Sequence, residues 1–281
     1  MCSLASQYNF TNTKARCVMR RYTITLLFIT LFISSCVCCT SSNGTPVKPD
    51  DDTGGADETG GANPPIDSVD GLTFLFIHHS TGEGFLIEGG MWDMLGDAGL
   101  EVHNRTYDDG WVGDNTDPEH FPITFTEHYN DMVTWELPAG EQYDIVAFKS
   151  CFPASSIESD EMLEDYKDYY RTVRDVVRQH PETLFIPFST PPLVPEYTER
   201  ADSARAREFA NWLTGEYDDD DSNLVAFDLF DILAGDDQSS GDYNCLKYEY
   251  QVDPYDSHPN ELANETVAEE FTSWLVGVVG G

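Results

Sequence analysis

From residue 70 onward, short strand-like segments alternate with longer amphipathic stretches, and this alternation constrains the fold more than any other feature. The run 72–78 is continuously apolar and reads as a buried strand, and 100–105, 143–148, 184–188 and 224–230 read as the second to fifth strands. Helices are expected between them, at about 89–98, after Ser159, at 198–213 and at 261–276. Ser159 is a suitable N-cap with acidic residues behind it. Beyond it Met162, Tyr166, Tyr169, Val173 and Val176 recur at spacings of three and four and predict one apolar face, which Pro181 terminates. Phe209, Trp212 and Leu213 mark the next helix; Ala263, Val267, Phe271, Trp274 and Leu275 form a stripe on the last. Strands alternating with helices imply a parallel sheet covered on both faces. The expectation is therefore an α/β fold, a three-layer sandwich around a parallel sheet of about five strands, occupying residues 70–281. A chain that is 40% apolar and 12% aromatic can fill such a core.

The segment before residue 70 reads as an address. Thr23–Ile33 is uncharged and largely apolar and follows Arg20-Arg21. It is too short for a membrane-spanning helix, which needs roughly 20 apolar residues, and fits the core of a secretory signal at 1–35. Met19 would start that signal more compactly, making 1–18 an extension. Ile33-Ser34-Ser35-Cys36 resembles a bacterial lipobox, in which the cysteine is lipidated. Residues 36–69, rich in Thr, Gly, Asp, Pro and Ser from 40 on, read as an acidic tether. The expected location is the bacterial cell envelope, with the membrane reached through the lipid on Cys36 alone. Export permits a disulfide between Cys151 and Cys245, the two cysteines of the folded part.

Charge narrows the partners. Lys and Arg total 15 against 51 Asp and Glu, a net charge of −36. Four of the basic residues precede residue 36 and no acidic one does, so the remainder is more acidic still. A phosphate backbone repels such a surface, which excludes nucleic acid as a default partner. Self-repulsion of this size is relieved when salt screens it, and a halophilic or salt-tolerant source is expected. The aspartate runs at 218–221 and 236–237 lack the glycine and terminal glutamate of an EF-hand loop and read as solvated surface. No metal and no cofactor is expected.

In open parallel sheets, ligands bind beyond the carboxyl ends of the strands. After the first run comes His78-His79-Ser80-Thr81-Gly82, where a tight turn exposes a serine hydroxyl and its neighbouring N–H groups. After the second comes Gly110-Trp-Val-Gly113-Asp-Asn115-Thr, and after the third Lys149-Ser150-Cys151-Phe152. Before the last helix stands Asp253-Pro-Tyr-Asp256-Ser-His258-Pro259-Asn260, a histidine with acids close by, suited to a general base held by a carboxylate.

Taken together, in this order and over residues 72–276, these blocks resemble the SGNH/GDSL hydrolase superfamily, whose sheet is flavodoxin-like. The resemblance implies an ester hydrolase. Ser80 would be the nucleophile and His258 the base, with Asp256, or alternatively Asp253, orienting the histidine. The N–H groups of Ser80 and Gly113 would form the oxyanion hole, with Ser150, or alternatively Asn115, adding a side-chain donor. Two departures stand out: the third block has no asparagine, and the position three before the histidine is Tyr255 instead of an acid. The larger α/β-hydrolase fold is excluded on topology, because only one strand precedes Ser80.

The implied substrate is an ester-bearing small molecule or an acylated glycan, with Trp111, Tyr243, Tyr248 and Tyr250 available to stack on sugars. A non-catalytic glycan-binding lipoprotein of the same fold is the competing reading. A third, a metal phosphoesterase using His78, His79 and His103, conflicts with the opposite facing of adjacent strand residues. Cys151 as nucleophile has no motif behind it.

Overall fold

The computed structural model describes residues 68–106, 110–113, 117–217 and 223–280. The chain divides into two units, Met1–Glu58 and Thr59–Gly281, and every described residue belongs to the second. The expected signal, Cys36 and the tether therefore lie, but for Ser68 and Val69, outside the described residues. Among the described residues no helix is long and apolar enough to cross a membrane.

Four strands, β1 (Thr73–Ile77), β2 (Glu101–Arg105), β3 (Ile145–Phe148) and β4 (Leu184–Pro187), form one parallel sheet in the order β2-β1-β3-β4. Register is set by pairs such as Leu75 with His103, Leu75 with Val146, and Val146 with Phe185. Side chains alternate between the faces of a pleated strand. Leu75, Ile77, Val146 and Phe148 thus enter one apolar layer, while Phe74, Phe76, Ile145 and Ala147 enter the other.

The first layer is closed by α3 (Phe121–Glu127), α4 (Tyr129–Val133), α5 (Asp160–Val177) and α6 (Arg200–Trp212). The second is closed by α2 (Met91–Asp97), α7 (Leu229–Leu233) and α8 (Glu261–Val279). A short helix, α1 (Ser80–Glu83), runs into a π turn at Gly84–Glu88. The expected three-layer α/β fold is what the chain adopts.

Two expectations need correction. The fifth run does not make a full strand. Leu224 and Phe227 bridge to Phe185 and Phe188 in parallel, but the Asp228 carboxylate then accepts from the N–H of Asp231 and starts α7. N-capping competes with strand extension here, and four strands result. The buried face of α5 is also rotated. Leu163, Tyr166, Tyr170, Val173 and Val177 are buried, whereas Met162, Tyr169 and Val176 only border the core. The Ser159 cap forms as expected, its hydroxyl oxygen accepting from the N–H of Met162 at 3.1 Å. Helices α3 and α4 were not anticipated; Pro118 and Pro122 punctuate a stretch with no clean period.

Candidate active site

With β2 on one side of β1 and β3 on the other, the strand order reverses direction at β1. The crevice beyond the carboxyl ends of β1 and β3 is the place such sheets reserve for ligands. β1 delivers His78, His79 and Ser80 there, and β3 delivers Lys149, Ser150 and Cys151. His79 is the last extended residue (φ −121°, ψ −166°) before the chain coils at Ser80. A Cβ on Gly82 would come within 2.4 Å of the His78 Cβ, so only glycine permits this tight a turn.

The third contributor comes from the far end of the chain. The Asn260 side chain caps α8, accepting from the N–H of Ala263 at 3.1 Å, and donates to the Glu249 carbonyl at 2.8 Å. Gln251 bridges Pro259. This braced loop sets His258 over Ser80, with Nε2 2.9 Å from Oγ. The Asp256 Oδ1 accepts from the His258 backbone N–H at 2.9 Å and stands 2.6 Å from Nδ1. A carboxylate can only accept, so Nδ1 carries the ring proton and Nε2 is left to take one from Ser80. Partial burial opposes ionisation of Asp256, but the hydrogen bonds and charge of His258 outweigh it and hold the carboxyl below its ordinary range. Phe152 meets the His258 ring edge-on at 4.9 Å. Asp253 is otherwise engaged: its carboxylate accepts from the N–H of Tyr255 at 2.7 Å and shapes the turn.

Two further side chains stand at Ser80 and a third at its neighbour Thr81, a juxtaposition that the sequence does not give. His79 Nδ1 stands 3.0 Å from Oγ and Cys151 Sγ 3.6 Å from it. Lys149, fully buried, donates from Nζ to the Thr81 hydroxyl. The signal that could have found them is the one that found Ser80, their position just past β1 and β3. Cys151 and Cys245 are both free thiols. Cys245 lies against the Tyr243 carbonyl.

Of the expected oxyanion donors, Ser150 is fully buried, with its hydroxyl beside the Tyr170 phenol. Gly113 packs its α-carbon on His120, where a Cβ would come within 2.3 Å of the ring. Asn115 lies outside the described residues. Among the described residues no backbone carbonyl outside the helix accepts from the N–H of Ser80 or Thr81, as expected of the first residues of a helical turn.

The three histidines considered for a metal have separate partners. His78 Nδ1 donates to the His79 carbonyl and Nε2 faces the Asn104 amide, while His103 faces Glu101. Burial pushes the His78 imidazole down to about 4, so it is neutral. Among the described residues no three His, Cys, Asp or Glu converge as metal ligands would.

A cavity of about 330 Å³ opens beside Ser80 and His258, lined by Glu83, Ile87, Glu88, Val252 and Asn264. The aromatics expected to stack on sugars are largely engaged. Arg105 stands over Trp111 at 5.3 Å, Arg200 over Tyr243 at 5.4 Å and Lys247 over Tyr250 at 5.3 Å. Tyr248 is 59% exposed.

No family model matches this sequence, and no curated protein matches it. Solved structures do resemble the model. One, provisionally described as a platelet activating factor from Streptococcus pneumonia, is 16% identical with a TM-score of 0.48, covering 74% of this chain and 86% of its own. A GDSL-like lipase from Bacteroides thetaiotaomicron is 10% identical with a TM-score of 0.46, covering 72% and 88%. A third, provisionally described as an acylhydrolase from Bacteroides fragilis, is 11% identical with a TM-score of 0.42, covering 75% and 92%. At these identities and scores the chemistry of this chain has to be argued from its own side chains.

Proposed function

We propose that the chain is a serine ester hydrolase of the SGNH type, exported and anchored at the cell envelope through Cys36. The observation that carries the reading is the 2.9 Å contact between His258 Nε2 and Ser80 Oγ, with Asp256 behind the same ring. A nucleophile, a base and an orienting acid within hydrogen-bond reach form the constellation that activates a hydroxyl at neutral pH.

In this mechanism His258 Nε2 takes the Ser80 proton as Oγ attacks the ester carbonyl carbon. The carbonyl π pair moves onto oxygen, which the N–H groups of Ser80 and Gly113 stabilise. Ser150 is left out, because its hydroxyl is buried against Tyr170. Collapse of the tetrahedral intermediate breaks the ester C–O bond, and His258 returns its proton to the departing alcohol. A water, deprotonated by His258, then hydrolyses the acyl-enzyme to release the acid and restore Ser80. The cavity of about 330 Å³ beside Ser80 is of the size that takes a small ligand, and the proposed substrate is an ester-bearing small molecule or an acylated glycan.

The test is a fluorescent serine-directed phosphonate together with p-nitrophenyl acetate. Covalent labelling and ester turnover are expected in the wild type, and both are expected to vanish in Ser80→Ala. Labelling that survives Ser80→Ala removes Ser80 from the role. A folded wild type that neither labels nor turns over any short ester leaves only a binding protein of this fold.

A further inference from the structure

Beneath the turn that carries Ser80 lies an unusual cation. Lys149 directly follows β3 and is fully buried, and among the described residues no carboxylate acts on it. Its Nζ donates to Thr81 Oγ1, on the residue that follows Ser80, and lies 5.8 Å from the centre of the Phe85 ring. Among the described residues the other ionisable groups acting on it come from the same strand ends: Cys151 after β3 and His78 after β1, the latter neutral. An isolated charge in an apolar interior is costly, and a structural lysine normally escapes that cost by finding a carboxylate or reaching solvent. Among the described residues this one does neither. It is instead tied to the short helical turn that carries Ser80.

We propose that Lys149 is a positioning residue for the ester hydrolysis proposed above, on which this inference rests. Its charge, tied to Thr81, fixes the Ser80–Thr81 turn and favours the negative oxygen that develops beside the Ser80 N–H. A fixed charge under a dry turn acts through low dielectric and needs no reorganisation when the oxyanion forms. Lys149 makes no contact with substrate; it acts through Thr81. Burial draws its ammonium down to about 8. The charge is therefore present at neutral pH and is lost as the medium becomes moderately alkaline.

The experiment measures kcat and KM of the full chain for p-nitrophenyl acetate from pH 6 to 10, in the wild type and in Lys149→Met, alongside the rate of phosphonate labelling of Ser80. Wild-type kcat is expected to fall above about pH 8. Lys149→Met is expected to lower kcat at pH 7 by about 10- to 100-fold, below the loss on deleting a direct oxyanion donor. Its KM should stay within about twofold, its labelling should slow in parallel, and its alkaline fall should be gone. A variant whose kcat matches the wild type, whose KM alone changes, or which keeps the same alkaline fall overturns the role of Lys149 while leaving Ser80 in place. Should circular dichroism show Lys149→Met unfolded, the wild-type profile decides, and a kcat level from pH 7 to 10 overturns the proposal. A wild type that takes no phosphonate and turns over no ester fails the hydrolase reading itself, and this inference with it.

Discussion

Around Ser80 each neighbour does separate work. Its single hydroxyl proton goes to His258 Nε2, while the oxygen can accept from His79 Nδ1 at 3.0 Å. Under the proposed mechanism, replacing His258 with alanine removes the base and is expected to lower kcat by on the order of 10⁶-fold. Asp256→Asn keeps a side chain of the same shape but no longer enforces the proton on Nδ1. Because Asp256 is 42% exposed, water can stand in for it, and a smaller loss of about 10²-fold in kcat is expected, read in the same assay. His78 contributes to stability instead. Neutral and buried in the folded state, it must stay unprotonated while an unfolded chain would bind a proton below its ordinary 6.5. Its folded value is depressed, so the stability it allows is complete above about 6.5 and is lost as pH falls toward 4, by about 3 kcal/mol. Denaturant unfolding at pH 7.5 and 4.5 should show that loss in the wild type and a much smaller one in His78→Gln.

At the scale of elements, the decisive contact is between α8 and the π turn at Gly84–Glu88. A Cβ on Gly89 would lie 2.2 Å from the Asn264 carbonyl oxygen, backbone against backbone, so this glycine lets the helix following His258 approach the turn following Ser80. The Asn264 amide completes the join by donating to Glu88 at 2.8 Å. Gly89→Ala must push the two apart and is expected to cost about 3 kcal/mol. The same displacement separates His258 from Ser80, so thermal melting and kcat should fall together. If Tm drops with kcat unchanged, this contact does not set the spacing of the site. On the opposite face, Ser159→Ala deletes only the cap of α5 and is expected to cost about 1 kcal/mol with activity retained.

For the whole molecule, charge is the dominant variable. With a net charge of −36 the folded state works against its own repulsion, and the few cations are already committed: Arg205 to Asp160 and Asp202, Arg207 to Asp231, Lys167 to Glu164 and Glu208. Such exposed pairs contribute little individually. Screening of the remaining negative charge is therefore expected to dominate, with Tm rising steadily from low to molar sodium chloride. A Tm that is flat or falls with salt contradicts a salt-adapted surface. The proposed serine chemistry requires the fold to survive these conditions but does not draw on the charge itself, so kcat should follow the folded fraction.

The layered α/β class was legible because strands buried at the centre of the sheet, β1 and β3, and one-sided helices write their periods directly into the chain. So was the rim of the sheet, since the residues after β1 and β3 and before α8 stand out as polar or glycine-bearing breaks between those periods. Ser80, His258 and Asp256 could thus be named one at a time. What the chain's order could not supply was distance. Whether Asp256 or Asp253 meets His258 depends on how one turn closes, and Asp253 spends its carboxylate on the N–H of Tyr255. Whether Lys149 is a surface ion or a sealed cation depends on the layer packed over β3, and which face of α5 is buried depends on its rotation against the sheet. The local pattern records what a residue can do. Only the folding of remote segments onto one another fixes its neighbours, and those neighbours set its charge, its proton and its role.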